Sequence, residues 1–346
     1  MKEWWLNNWR TLLGSGGVVA VVLVPIIVAL INKYKPKEPR TSHKAKPPAP
    51  PSEPPPPLDP NSQPQPDNPN LNYSRGAVFL EQLEYQKAAG CFEQAAKDYP
   101  SGSLDQAKAL NRAGWVYDDI AQYDQAINCY LEAQAICNQN AQANQLELAW
   151  IYNNLAVTYD NQGAYDKALI WYFKALKIRE KKLGKDHPDT ASTYNNIGAV
   201  YYSQGKYEEA LEYYLKALSI REKKLGKDHP DTAATYNNIA NVYADQGKDD
   251  KALEYYLKAL AIRETQLGKD HPDTAATYEN IAIVYGDQGK YDEAFRLYLQ
   301  AYRVYLHVHN AEHPDAKSCL NNLRIHYKAS GRKTPFDTWL AQQLKN

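Results

Sequence analysis

The chain has 346 residues, 40 basic and 40 acidic side chains for a net charge of zero, and four cysteines. Balanced charge removes the basic excess that drives nonspecific nucleic-acid binding, so no nucleic-acid partner is expected. Cys91, Cys129, Cys137 and Cys319 form no CxxC pair, a spacing that suits neither zinc nor a disulfide framework, and they read as small core residues.

After a short flank over 1–10, Thr11 to Ile31 is a run of 21 residues without a charge, rich in Val, Leu and Ile. At about 1.5 Å rise per residue such a run spans the ~30 Å hydrocarbon layer, so a single transmembrane helix is expected over 11–32. Trp4, Trp5 and Trp9 precede it and Tyr34 comes after it, placing amphipathic rings at the two headgroup layers. No small-x-small site follows Val28, Ala29 and Leu30, which argues against a cleaved signal peptide. Lys33, Lys35, Lys37, Arg40, Lys44 and Lys46 lie after the run, against Lys2 and Arg10 before it. By the positive-inside rule the protein is single-pass with its remainder cytoplasmic, and the basic cluster suits anionic lipid heads.

Residues 33–70 are basic and then rich in proline, with Pro54 to Pro57 consecutive. They read as a disordered linker. Polyproline II geometry at ~3.1 Å per residue would hold the remainder of the chain up to roughly 100 Å from the bilayer.

From there to the end the chain repeats. LGKDHPDT begins at Leu183, Leu225 and Leu267, and successive starts differ by 42. His187, His229, His271 and His313 keep that step, as do Tyr117, Tyr159, Tyr201, Tyr243, Tyr285 and Tyr327. Alanines recur at 126, 168, 210, 252 and 294, and again at 133, 175, 217, 259 and 301, as positions of close helix approach. Each unit reads as two helices, with Gly163, Gly205, Gly247 and Gly289 ending the first. Pro188 fits a first helical turn and Asp189 complements the helix dipole, so His-Pro-Asp is helix-start chemistry. Tyr194, Ile197, Gly198 and Tyr201 are expected to face a second helix whose buried stripe is Ala210, Tyr214 and Ala217. One such pair cannot bury its own apolar face, so units must stack into a solenoid.

These residues resemble the tetratricopeptide repeat (TPR) family, and the 42-residue unit with its LGKDHPD connector resembles the kinesin-light-chain subtype. The likeness covers 71–346, with units near 71–102, 107–148, 149–190, 191–232, 233–274, 275–316 and 317–346. The first follows the shorter pattern of Gly76, Phe79, Ala88, Phe92, Ala95 and Pro100. In the last, Arg324 and Phe336 replace small residues, and 335–344 is expected to be a terminal capping helix. The resemblance implies an all-α, right-handed solenoid of about seven helix pairs, here preceded by the transmembrane helix and linker. Kinesin light chains carry a coiled coil in that place, which argues against a motor-subunit role.

The resemblance further implies that each first helix lines a concave groove that binds an extended peptide or a protein. The residues opposite its buried stripe are Asn111 and Arg112, Asn153 and Asn154, Asn195 and Asn196, Asn237 and Asn238, Glu279 and Asn280, and Asn321 and Asn322. The second of each pair is expected to point most directly into the groove. A carboxamide has donors and an acceptor, so a column of them can pair with an extended backbone. The competing reading is that these asparagines bond to one another between repeats and hold the curvature. Lys108 and Arg112 are positive near one end, whereas Asp245, Glu279 and Asp287 are negative further along, which suits a partner of polarised charge.

Equivalent histidines in stacked repeats stand about a helix diameter apart, ~10 Å, too far to share an ion with ~2 Å bonds, so no metal site is expected among them. No GxSxG, HExxH or P-loop pattern occurs, and neither a cofactor nor catalytic residues are expected. Two functions stay open: a membrane-anchored scaffold that binds a protein or peptide in the groove, and a structural solenoid that associates with copies of itself.

Overall fold

The computed structural model describes residues 70–139 and 145–345. The expected membrane span over 11–32 lies outside the described residues, as does the linker up to 69. Among the described residues no helix is long and apolar enough to cross a membrane.

Among the described residues fourteen helices pair into seven antiparallel hairpins, and there is no strand. The first hairpin is α1 (Asn70–Glu81) with α2 (Tyr85–Asp98), and the second is α3 (Leu104–Asp119) with α4 (Tyr123–Gln139). The third is α5 (Gln145–Asn161) with α6 (Tyr165–Lys182), and the fourth is α7 (Pro188–Ser203) with α8 (Tyr207–Lys224). Then come α9 (Pro230–Asp245) with α10 (Asp249–Gln266), and α11 (Pro272–Asp287) with α12 (Tyr291–Val308). The last is α13 (Pro314–Ala329) with the short capping helix α14 (Phe336–Lys345).

The repeated residues explain this geometry. All ten repeated alanines are fully buried, as are Tyr130, Tyr172, Tyr214, Tyr256 and Tyr298 at the same 42-residue step. Where a tyrosine ring meets the first helix, the facing residue must be small: a Cβ on Gly198 would stand 2.8 Å from the Tyr214 ring. Gly163, Gly205, Gly247 and Gly289 take positive φ of 72–77° between the two helices, a conformation other L-residues reach at a cost.

The connectors are built from side-chain bonds. Nδ1 of His187, His229 and His271 accepts the backbone N–H two residues on, each at 3.1 Å, which makes the histidine the N-cap. Proline follows at the first turn, where its missing N–H would have had no helical partner. Thr190, Thr232 and Thr274 each donate to the carbonyl of the connector glycine six residues earlier.

Sequence patterning alone does not single out the arginines that close each junction. Arg179, Arg221 and Arg263 sit at the ends of α6, α8 and α10, yet all three are buried. Each guanidinium donates to a carbonyl at the start of the next first helix and to a threonine hydroxyl there; for Arg221 these are Asp231 O at 3.0 Å and Thr235 Oγ1 at 2.7 Å. The positive charge also offsets the negative end of its own helix.

At the C-terminal end, the two bulky departures from the pattern meet each other. The Arg324 guanidinium lies 4.9 Å from the Phe336 ring centroid and pairs with Asp337 at 3.3 Å. Trp339 of α14 is buried against Phe295 and Tyr327, so α14 closes the stack as a cap.

Candidate peptide-binding groove

Successive first helices touch across hairpins, whereas the second helices of the second to sixth hairpins do not approach one another in that way. The solenoid therefore curves with α3, α5, α7, α9, α11 and α13 on its inner face.

Along that face the paired asparagines form a ladder. Nδ2 of Asn154 donates to Asn111 Oδ1 at 3.0 Å, Asn196 to Asn153 at 3.4 Å, Asn238 to Asn195 at 3.3 Å and Asn280 to Asn237 at 3.4 Å. The last rung runs from Asn322 to Glu279 Oε1 at 2.8 Å. The second member of each pair thus reaches back to the first member of the preceding hairpin. Most rungs are 4–8 % exposed, so the ladder joins hairpins first and offers only a narrow polar edge to the groove. A carboxamide has two N–H donors and two oxygen lone pairs, and each rung uses one of each.

A second set of rungs lies one to two turns further along. Asn161 Nδ2 donates to both carboxylate oxygens of Asp118, at 3.3 and 3.1 Å, and the Tyr202 hydroxyl donates to Asp245 Oδ2 at 2.6 Å. His326 Nε2 stands 3.4 Å from Asp287 Oδ1, while its Nδ1 meets the buried Tyr298 hydroxyl at 2.9 Å. Of these three partners to acids, two are neutral carboxamide or hydroxyl groups. The last turns of α3, α5, α7, α9 and α11 hold no basic residue, whereas those of α6, α8 and α10 carry arginine. Acids at helix C-termini add to the partial negative charge there. The last turns of α3, α5, α9 and α11 therefore place acids on one edge of the groove, while that of α7 carries none.

The opposite charge is local. Lys108 is exposed and pairs with Asp105 at 3.4 Å. Arg112 is half-buried against Trp115, its guanidinium 4.8 Å from the ring centroid, and its Nε is buried without a partner. Burial lowers the Arg112 pKa and raises those of Glu147 and Asp119. Glu147 accepts from Asn111 at 3.3 Å, so the carboxamide of the first rung is shared with an acid.

Of the residues expected to line the groove, Lys108 and Asn321 are exposed, and Arg112, Asn153 and Asp245 are half-buried. Asp287 is exposed as a residue, with 28 % of its side chain open. Asn111, Asn154, Asn195, Asn196, Asn237, Asn238, Asn280 and Asn322 are buried in the ladder. Glu279 is buried too, and burial pushes its carboxyl up to about 7 against a smaller lowering by Asn322. It stands in the ladder as an acid where the other hairpins carry asparagine. Patterning did not single out Trp115, Asp118, Asp160 or Tyr202, which the 42-residue step applied one to two turns beyond the asparagines would have reached.

Models of the tetratricopeptide repeat match residues 147–223, 190–265, 231–307 and 273–334, and a related one matches 107–140. The chain belongs to the tetratricopeptide repeat family. No curated protein matches it. Among solved structures, BtubC (BKLC) from P. vanneervenii is 24 % identical, with a TM-score of 0.54 over 71 % of this chain and 94 % of that one. Nearly identical TPR-like repeats assigned to a kinesin light chain of Podosopora anserina are 21 % identical, with a TM-score of 0.50 over 60 % of this chain and 98 % of that one. The apo form of RapI is 16 % identical, with a TM-score of 0.55 over 75 % of this chain and 97 % of that one. At these identities the likeness is one of fold, and it places the chain among TPR solenoids that include the kinesin-light-chain type.

Proposed function

We propose that this TPR protein is a membrane-anchored scaffold that binds an extended peptide segment of another protein along its inner face. The observation that carries the reading is the row of acids on one edge: Asp118 accepts from the neutral Asn161 amide and Asp245 from the neutral Tyr202 hydroxyl, with Asp287 on the same edge. A segment with basic side chains would meet that edge, and an acidic group would meet the half-buried Arg112 guanidinium and the exposed Lys108. Anchoring rests on the uncharged run from Thr11 to Ile31, and the six basic residues after it favour a solenoid on the cytoplasmic side.

The test is crosslinking in native membranes of wild type against Arg112→Ala and Asp245→Asn. The expected result is loss of the same partner from both variants, with weaker capture at high salt. An unchanged partner set in both would overturn the groove reading.

A second reading has its own support. Leu131, Phe173, Leu215 and Leu257 recur at the 42-residue step on the second helices and are 39–49 % exposed, an apolar row suited to association between copies. Sedimentation of the full chain in detergent over a wide concentration range decides it, since a strictly monomeric chain removes this reading.

A further inference from the structure

The last connector departs from the three before it. His309, Asn310 and Ala311 stand where the others carry Leu-Gly-Lys, as at Leu267, Gly268 and Lys269. The exchange brings a second imidazole against the cap histidine: the rings of His309 and His313 lie 3.8 Å apart with planes 9° from parallel. Asp315 completes a group whose ligand atoms all lie within 4.8 Å of one another. His313 Nδ1 and Asp315 Oδ2 are 3.6 Å apart.

We propose that His309, His313 and Asp315 form a binding site for a divalent transition-metal ion of the zinc class, with its remaining positions open to water or to a donor from another protein. Two imidazoles and one carboxylate suit zinc, cobalt or nickel, whereas magnesium and calcium take all-oxygen shells. Ligand atoms ~2.1 Å from a tetrahedral ion stand roughly 3.4 Å from one another. The His313–Asp315 pair at 3.6 Å is near that bite, and the His309 nitrogen, within 4.8 Å of the others, has at most roughly 1.4 Å to close. Parallel rings cannot both aim a lone pair at one ion, so the ring of His309 must turn. It is exposed, and the turn gives up its stacking on the His313 ring. A further cost falls on the helix cap. His313 Nδ1 accepts Asp315 N–H at 3.3 Å, against 3.1 Å in the other three connectors, so the bond given up to an ion is the longest of the four.

The other connectors are an internal control. His187 and Asp189 repeat the pair at 3.7 Å, and His271 and Asp273 at 4.0 Å, but Leu183 and Leu267 supply no third donor. Three ligands at the last connector against two at the others predict uptake at one place.

The experiment is equilibrium dialysis of metal-stripped full chain in mild detergent against Zn2+ at pH 7.5, with Mg2+ as competitor. His309→Leu restores the residue of the other connectors, and Asp315→Asn keeps the helix start while weakening the carboxylate ligand. Wild type should take up one Zn2+ that excess Mg2+ does not displace, with binding at least tenfold weaker in both variants. Absence of uptake by wild type overturns the site. So does wild-type affinity in His309→Leu, which would put the ion elsewhere, such as on the half-buried Cys91.

Discussion

Glu279→Gln tests how the ladder tolerates an acid. The carboxyl is 7 % exposed, accepts from Asn322 at 2.8 Å and lies 3.4 Å from the Tyr305 hydroxyl. Burial carries it from its ordinary 4.5 to about 7. The folded chain therefore holds this proton more tightly than the unfolded chain, and between those two pH values the folded state binds more protons. Stability contributed by the protonated form is fully present below about pH 4.5 and is lost as pH rises through about 7. At roughly 1.4 kcal/mol per pH unit, full ionisation costs about 3 kcal/mol. Glutamine keeps the acceptor for Asn322 and cannot ionise, so the variant should match wild type near pH 4.5 and exceed it above pH 7. At about 2 °C per kcal/mol, the melting midpoint by circular dichroism should rise by about 6 °C at pH 8. An equal difference between variant and wild type at both ends of the range would refute the claim that burial sets this proton's affinity.

Other substitutions probe the packing. A Cβ on Gly286 would stand 2.5 Å from the His326 ring, so Gly286→Ala should destabilise by about 1–3 kcal/mol; His326→Val, the residue found at Val200, Val242 and Val284 at the 42-residue step, should restore much of this in a double-mutant cycle read by urea midpoints. Gly198→Ala should lie within about 1 kcal/mol of wild type by the same assay, because Ala156, Ala240 and Ala282 occupy the equivalent place against Tyr172, Tyr256 and Tyr298 and alanine gains helix propensity. Arg221→Ala leaves the Asp231 carbonyl and the Thr235 hydroxyl without their guanidinium, and should lower stability by about 2–4 kcal/mol. Arg221→Lys should recover only part of that, since one ammonium does not reproduce the planar fork.

The 42-residue step made the hairpins legible, and so did the His-Pro-Asp start and the four glycines between helices. It sets spacing without phase, however: α5 begins at Gln145 and α7 at Pro188, a few residues before unit starts counted at 149 and 191. The ladder illustrates the harder part. Each rung joins residues 43 apart, and which neighbour an asparagine meets depends on the curvature of the stack rather than on its own helix. Patterning passes over Arg221 because its burial is created by the next hairpin. Glu279 read as a groove acid for the same reason, although the hairpins around it bury it. Interactions within a hairpin follow from local pattern, while those between hairpins appear only when the units are stacked.

The ladder also bears on how such a chain can change in length. Donor and acceptor of each rung occupy equivalent places in adjacent hairpins, so a whole unit copied into the middle of the array finds a donor waiting on one side and an acceptor on the other. Gain or loss of complete units leaves every junction chemically as it was, and the inner face lengthens or shortens in steps. An insertion of one residue would disturb the rung that spans it, while the rungs on either side keep their 43-residue spacing. The acid at 279 keeps to the same scheme, since its carboxyl oxygen accepts from Asn322 as the carboxamide oxygens of the other hairpins accept from their neighbours.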